Sequence, residues 1–172
     1  MFGFMKGILK PINDPFVFLS LYHTLIRSRL EYCSFIWSPQ CQTMKDKIER
    51  VQRKFVKFLS FQCHLSADLS YNERLQHFKM VTLESRRDML DLRILNKMLN
   101  NKIDCPDLLN SIDFRVPTRR TRRRDLFVLN HRLRLTANSP VTRATSLAND
   151  TDLDVFSPVS EFRRNSITYL NF

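Results

Sequence analysis

Glycine occurs only twice in this chain of 172 residues, at Gly3 and Gly7. Glycine supplies the positive-φ backbone on which hairpin turns, β-bulges and phosphate-cradling loops depend. A chain without it from residue 8 onward is poorly suited to a β-barrel or a P-loop, and its many Leu, Arg, Lys and Met residues favour helix. Hydrophobic residues make up 43% of the chain, with 14 Phe, which is enough for a folded core and too many for a disordered chain. The length suits one domain with a buried core, or a small domain with a tail. The expected fold class is mainly α: a helical bundle followed by a basic, less regular C-terminal module with short helices.

Hydrophobic periodicity places the helices. Asn13 or Asp14 is the expected cap of a first helix with Pro15 at its first position, and Phe18, Leu21, Tyr22, Leu25 and Ile26 recur at helical spacing. After Arg27-Ser28-Arg29 the chain continues as helix or bends into Leu30–Trp37, with Cys33 on its apolar face and Trp37 as a core anchor. Ser38-Pro39 ends that segment, because the residue before proline is pushed out of the helical region. A capping box at Thr43–Asp46 then opens a second helix. Its expected buried stripe is Ile48, Val51, Phe55, Phe58 and Leu59. Lys45, Lys47, Arg50, Arg53, Lys54 and Lys57 lie outside that stripe, against Asp46 and Glu49.

A polar loop from Gln62 to Ser70 leads to a second capping box, Ser70–Glu73, and a short helix with Leu75 and Phe78 inward. A longer helix is expected from Leu83 to Asn101, with Leu83, Leu90, Ile94 and Met98 in one buried stripe flanked by Leu95 and Leu99. Arg87, Asp88 and Asp91 are read there as solvated charge pairs. Pro106 begins a brief helix through Leu109. Phe114–Pro117 is extended and Phe127–Leu129 is a candidate short strand. Ser139-Pro140 and Ser157-Pro158 read as helix starts, and the last helix buries Phe162 and Leu170. The change of character after residue 112 divides the chain into a helical domain, 1–112, and a basic module, 113–172.

The formal net charge of +11 favours a polyanionic partner, with nucleic acid ahead of a membrane surface. The four cysteines, Cys33, Cys41, Cys63 and Cys105, show no CxxC spacing, so reduced thiols are expected and no metal site. The N-terminus lacks a long apolar stretch and a small-residue cleavage site, and Pro15–Leu25 is too short to span a bilayer. These features predict an intracellular protein, in the cytoplasm or the nucleus, that is neither secreted nor membrane-bound.

Catalytic constellations are sparse. A polymerase needs carboxylates that hold two divalent metals, and the chain has no adjacent aspartates. Asp150-Thr151-Asp152 reads as turn and capping chemistry. The glycine positions rule out GxSxG. His23, His64, His77 and His131 have no neighbours that suggest a base and its orienting group. Two cation clusters remain. One is the basic face of the second helix, Lys47, Arg50, Arg53, Lys54 and Lys57, which could lie along a duplex and contact phosphates without regard to sequence. The other is the arginine run Arg119, Arg120, Arg122, Arg123 and Arg124, preceded by Arg115, whose planar forks match phosphate. A nuclear-import signal is the competing reading of that run.

The block from Leu30 to Leu59 carries a resemblance. LEYCSFIWSP followed by IERVQRKFVKFL resembles the region downstream of the polymerase core in non-LTR, jockey-like retrotransposon reverse transcriptases. Leu21-Tyr22, Leu25-Ile26-Arg27-Ser28 and Leu30-Glu31-Tyr32 resemble a helix of the same proteins. Leu83, Arg86, Arg87 and Met89, then Phe114, Val116, Pro117 and Arg119, and the tail with Asn149, Asp154, Phe156 and Phe162 match the looser downstream pattern. The resemblance implies a thumb-like helical domain and C-terminal connection that hold the template–primer duplex. The parent activity it implies is RNA-directed DNA polymerase using magnesium. No position here matches the catalytic aspartates, so the expectation is a fragment that contacts RNA or DNA duplex without catalysing synthesis and without a cofactor of its own. A missing polymerase core is a further expected partner. The alternatives are a non-catalytic protein-interaction module and a non-functional relic of a truncated element.

Overall fold

The structure is a computed structural model that describes residue 7 and residues 14–116, 125–129 and 139–170, with side chains through residue 166. The fold is mainly α. Its elements are α1 (Pro15–Leu21), a π-helical stretch (Tyr22–Arg27), α2 (Ser28–Glu31), α3 (Ser34–Trp37), α4 (Gln42–Gln62), α5 (Tyr71–His77), α6 (Leu83–Leu99), α7 (Pro106–Leu109), β1 (Asp113–Phe114), β2 (Phe127–Val128), α8 (Pro140–Asp150) and α9 (Val159–Leu170). They form two compact units: Met1–Ser34 with Pro39–Glu84, and Phe35–Ser38 with Ser85–Phe172. The division falls near residue 84 where the sequence suggested 112, because Leu92, Leu95 and Ile112 share a core with Phe127, Val141 and Phe162.

In the first unit Asp14 caps α1 by accepting from the Phe16 N–H, with Pro15 at the first helical position as expected. Ser20 and Thr24 donate their hydroxyls to the carbonyls four residues back, a competition with the backbone ladder that accompanies the widening into the π-helical stretch. Helical structure therefore runs from Pro15 through Glu31. It stops at a turn where Cys33 adopts φ 51° and is exposed, so Cys33 is not the core residue expected of it. Trp37 is 40% exposed rather than a core anchor; in the single turn of α3 the buried position belongs to Ser34.

The core of this unit gathers Phe18, Tyr22 and Ile26 against Phe55, Val56 and Leu59 of α4, closed by Leu75 and Met80. The Tyr22 and Phe55 rings stack 4.1 Å apart. The Ser70–Glu73 capping box forms in both directions. The box expected at Thr43 does not. The Cys41 carbonyl accepts from Met44 and Lys45, so α4 starts at Gln42 and Thr43 already lies inside its first turn.

Three helices end in the same way. His64, Lys79 and Asn101 take left-handed φ values of 51–53° after α4, α5 and α6. In each case the following N–H reaches five residues back: Leu65 to Ser60, Met80 to Leu75 and Lys102 to Lys97. These are Schellman caps, whose left-handed position is usually glycine. From residue 8 onward this chain has none to place there.

In the second unit α6 buries Met89, Leu92, Leu95 and Met98. The expected stripe is rotated, since Leu90 and Ile94 are only half-buried. Arg87 and Asp91, read from sequence as solvated, are 1% and 0% exposed. Asp91 pairs with Arg143 of α8 at 2.6 Å, and the Arg143 Nη2 donates to the Phe35 carbonyl. A long charged side chain reaching from a facing helix is what lets Asp91 turn inward. Asp113 and Phe114 pair antiparallel with Val128 and Phe127. Asn149 of α8 secures β2 by accepting from the Leu126 and Phe127 N–H groups and donating to the Phe127 carbonyl. Ser139 caps α8 as expected. α9 begins one residue later than expected, at Val159, because the Ser157 hydroxyl donates to the Asp154 carbonyl instead of capping. Phe162 is buried; the Leu170 side chain lies outside those described.

Candidate nucleic-acid interface

Position along α4 decides which of its polar residues face water. At 100° per residue Lys47, Arg50, Arg53, Lys54 and Lys57 fall within an arc of roughly 120°, over about 15 Å of helix axis. All five are exposed. The buried residues Gln52, Phe55, Val56, Leu59 and Ser60 lie on the other side, together with Glu49. Ile48, Val51 and Phe58, expected in the buried stripe, are half-buried instead.

The charges that are not on the arc are tied up within the first unit. Lys45 sits 2.7 Å from Glu84. Glu49 is 7% exposed and accepts from the Tyr71 hydroxyl and from the Leu83 N–H at 3.0 Å. Burial and the Glu49 carboxylate push the Tyr71 phenol above its ordinary value, so Tyr71 remains a donor. Gln52 completes the layer. Its Nε2 donates to the Val81 carbonyl and to the Tyr71 hydroxyl, and its Oε1 accepts from the Tyr22 hydroxyl. Sequence reading assigned Glu49 to the solvated face because it is an acid. The signal available was its spacing: Glu49, Gln52, Val56 and Leu59 share one face at i, i+3, i+7 and i+10.

The outcome is an exposed stripe of five cations opposed only by the exposed Asp46. The Arg53 guanidinium lies 5.1 Å from the centre of the Tyr71 ring, a cation–π contact that fixes its direction without consuming its hydrogen-bond donors. Lys47, Arg50, Lys54 and Lys57 make no ion pair among the described residues. The second predicted cluster, Arg119, Arg120, Arg122, Arg123 and Arg124, lies outside the described residues. Arg115, just before it, pairs with Asp125, just after it, at 3.9 Å.

Among the described residues no group of His, Cys, Asp and Glu is placed to hold a metal ion, and no helix is long and apolar enough to cross a membrane. Comparison of the chain with protein-family models, with curated proteins and with solved structures finds no match.

Proposed function

We propose that this chain holds nucleic acid without acting on it, in the manner of the thumb and C-terminal connection of a retrotransposon RNA-directed DNA polymerase, by clamping duplex phosphates against α4. The observation that carries this reading is the exposed stripe Lys47, Arg50, Arg53, Lys54 and Lys57, opposed on its own face only by Asp46, with Glu49 held inside. Cations spaced along a helix neutralise phosphates and release counterions, which gives affinity without sequence preference. The arginine run Arg119–Arg124 adds planar forks suited to the same backbone. The lack of adjacent aspartates in the sequence supports a holding role over a polymerising one.

Salt titration of binding to a template–primer duplex tests this. Five neutralised phosphates predict a log–log slope of about −4.5. Reversing Lys54 and Lys57 to Glu should weaken binding and flatten the slope by about 2, with the helical circular dichroism unchanged because both side chains are exposed. A salt-independent affinity would overturn the proposal. A second reading, docking to a protein such as a polymerase core, draws on Phe16 at 74% exposure. It would be favoured by salt-insensitive binding to such a partner that Phe16→Ser abolishes.

A further inference from the structure

From Lys47 to its end, α4 exposes six side chains: Lys47, Arg50, Arg53, Lys54, Lys57 and Phe61. Five are cations and the sixth is an aromatic ring. Phe61 is 78% exposed, the most of any phenylalanine among the described residues. It follows Lys57 by four residues and Lys54 by seven, so it shares their face of the helix. At 100° per residue it falls near the middle of the cationic arc, about 6 Å further along the axis than Lys57.

Single exposed apolar side chains are common and need no partner. The surroundings of this one point to a ligand. Its neighbours in the helix turn inward: Leu59 and Ser60 are buried, and the Phe58 ring meets Phe18 edge-on at 5.4 Å. Phe61 belongs to neither hydrophobic core and contacts no aromatic ring among the described residues. Its backbone is held in place, because the Cys63, His64 and Leu65 N–H groups donate to the carbonyls of Leu59, Phe61 and Ser60. The ring therefore stands on a closed helix end and not on a frayed one. The last turn of α4 carries no basic residue, and the carbonyl end of a helix has partial negative charge, so a phosphate is not drawn to this position. An uncharged flat group suits it better.

In a duplex the bases stack on one another, and only an unpaired base offers its face to an aromatic ring. Such stacking is indifferent to sequence because every base has a π-face. A ring at one end of a phosphate-binding stripe, with none inside the stripe, fits a nucleic acid that is paired along the cations and unpaired beyond them. We propose that α4 binds the end of a duplex that continues as a single strand, with Phe61 stacking on the first unpaired base. The inference rests on the duplex-holding reading of α4 and names the part of the nucleic acid held there.

A short hairpin duplex tests it, its open end left blunt or extended by a 5′ or 3′ single strand of either normal or abasic nucleotides. The two kinds of extension carry the same phosphates and differ only in their bases. For at least one polarity the normal extension should bind about tenfold tighter than the abasic one, within the range for one stacked base. Phe61→Leu, apolar but ringless, should bring that ratio to about one without changing the affinity for the blunt hairpin or its salt slope. Phe61→Trp should retain the ratio. The side chain is exposed, so both variants keep the fold. Equal binding of normal and abasic extensions by the wild-type chain, with salt-dependent binding of the blunt hairpin, would overturn this inference and leave the duplex reading intact. A preference that Phe61→Leu does not reduce would place the base elsewhere and overturn it too, as would tightest binding to an unpaired strand alone. Salt-independent binding of every hairpin would instead remove the duplex reading, and this inference with it.

Discussion

Gln52 has no exposed surface and three hydrogen-bond partners, one in each direction its amide can reach. Replacing it with Leu keeps the volume roughly constant and removes its hydrogen bonds to the Tyr22 and Tyr71 hydroxyls and the Val81 carbonyl. The expected loss is about 3 kcal/mol in urea denaturation, whereas Tyr22→Phe, which orphans only one acceptor, should cost about 1–2 kcal/mol. Equal losses would mean the layer is not wired this way. Asp91 presents the same problem with a charge. Burial pushes its carboxyl up to about 6, against the opposing pull of the Arg143 hydrogen bond. An unfolded aspartate titrates near 3.9. Between about pH 4 and 6 the folded chain therefore holds a proton that the unfolded chain has released, and stability from this group falls as pH rises through that window. Wild type should lose stability relative to Asp91→Asn from pH 4 to 6.5, and the gap should level off above about pH 7. A gap constant across the whole range would refute the assignment.

At the scale of the elements, the helix ends carry a cost that follows from composition. A side chain at a left-handed position is strained by about 1–2 kcal/mol, partly offset by the rigidity it gives the unfolded chain. Lys79→Gly and His64→Gly, both at exposed caps, should each stabilise the chain by about 0.5–1 kcal/mol. Gln76→Gly, three residues before Lys79 but inside α5, should destabilise by about 1 kcal/mol. The opposite signs, read from thermal or urea midpoints, test the cap geometry directly. Capping at the start of α5 is equally specific: Ser70→Ala removes the acceptor for the Glu73 N–H and should cost about 1 kcal/mol.

At the scale of the whole molecule, the helical class followed from the missing glycines, and most element starts followed from proline and serine. Asp14-Pro15, Ser70, Pro106 and Ser139 each begin a helix where local chemistry says they should. The five exposed cations of α4 were legible for the same reason, since charged side chains at consecutive helical turns have few inward alternatives. Burial of polar residues was not legible. Glu49, Gln52 and Asp91 turn inward only because Tyr71, Val81 and Arg143, distant in sequence, supply their partners. Spacing puts Glu49 and Gln52 on the face of Val56 and Leu59, but it does not name the distant partners that let a polar side chain stay there. Leu90 and Ile94 look like core from their spacing, yet they are only half-buried and line an open cavity with Val159, Phe162 and Arg163 of α9.

Tyr71 has a consequence out of proportion to its exposure. Its hydroxyl holds the Glu49 carboxylate inside, and its ring lies under the Arg53 guanidinium. One residue of α5 therefore governs one negative and one positive charge of α4. Removing the hydroxyl would loosen the acid while leaving the ring in place. The electrostatic potential that α4 presents to solvent is set partly from beneath, so a substitution on α5 would still alter how strongly a polyanion is drawn to the surface.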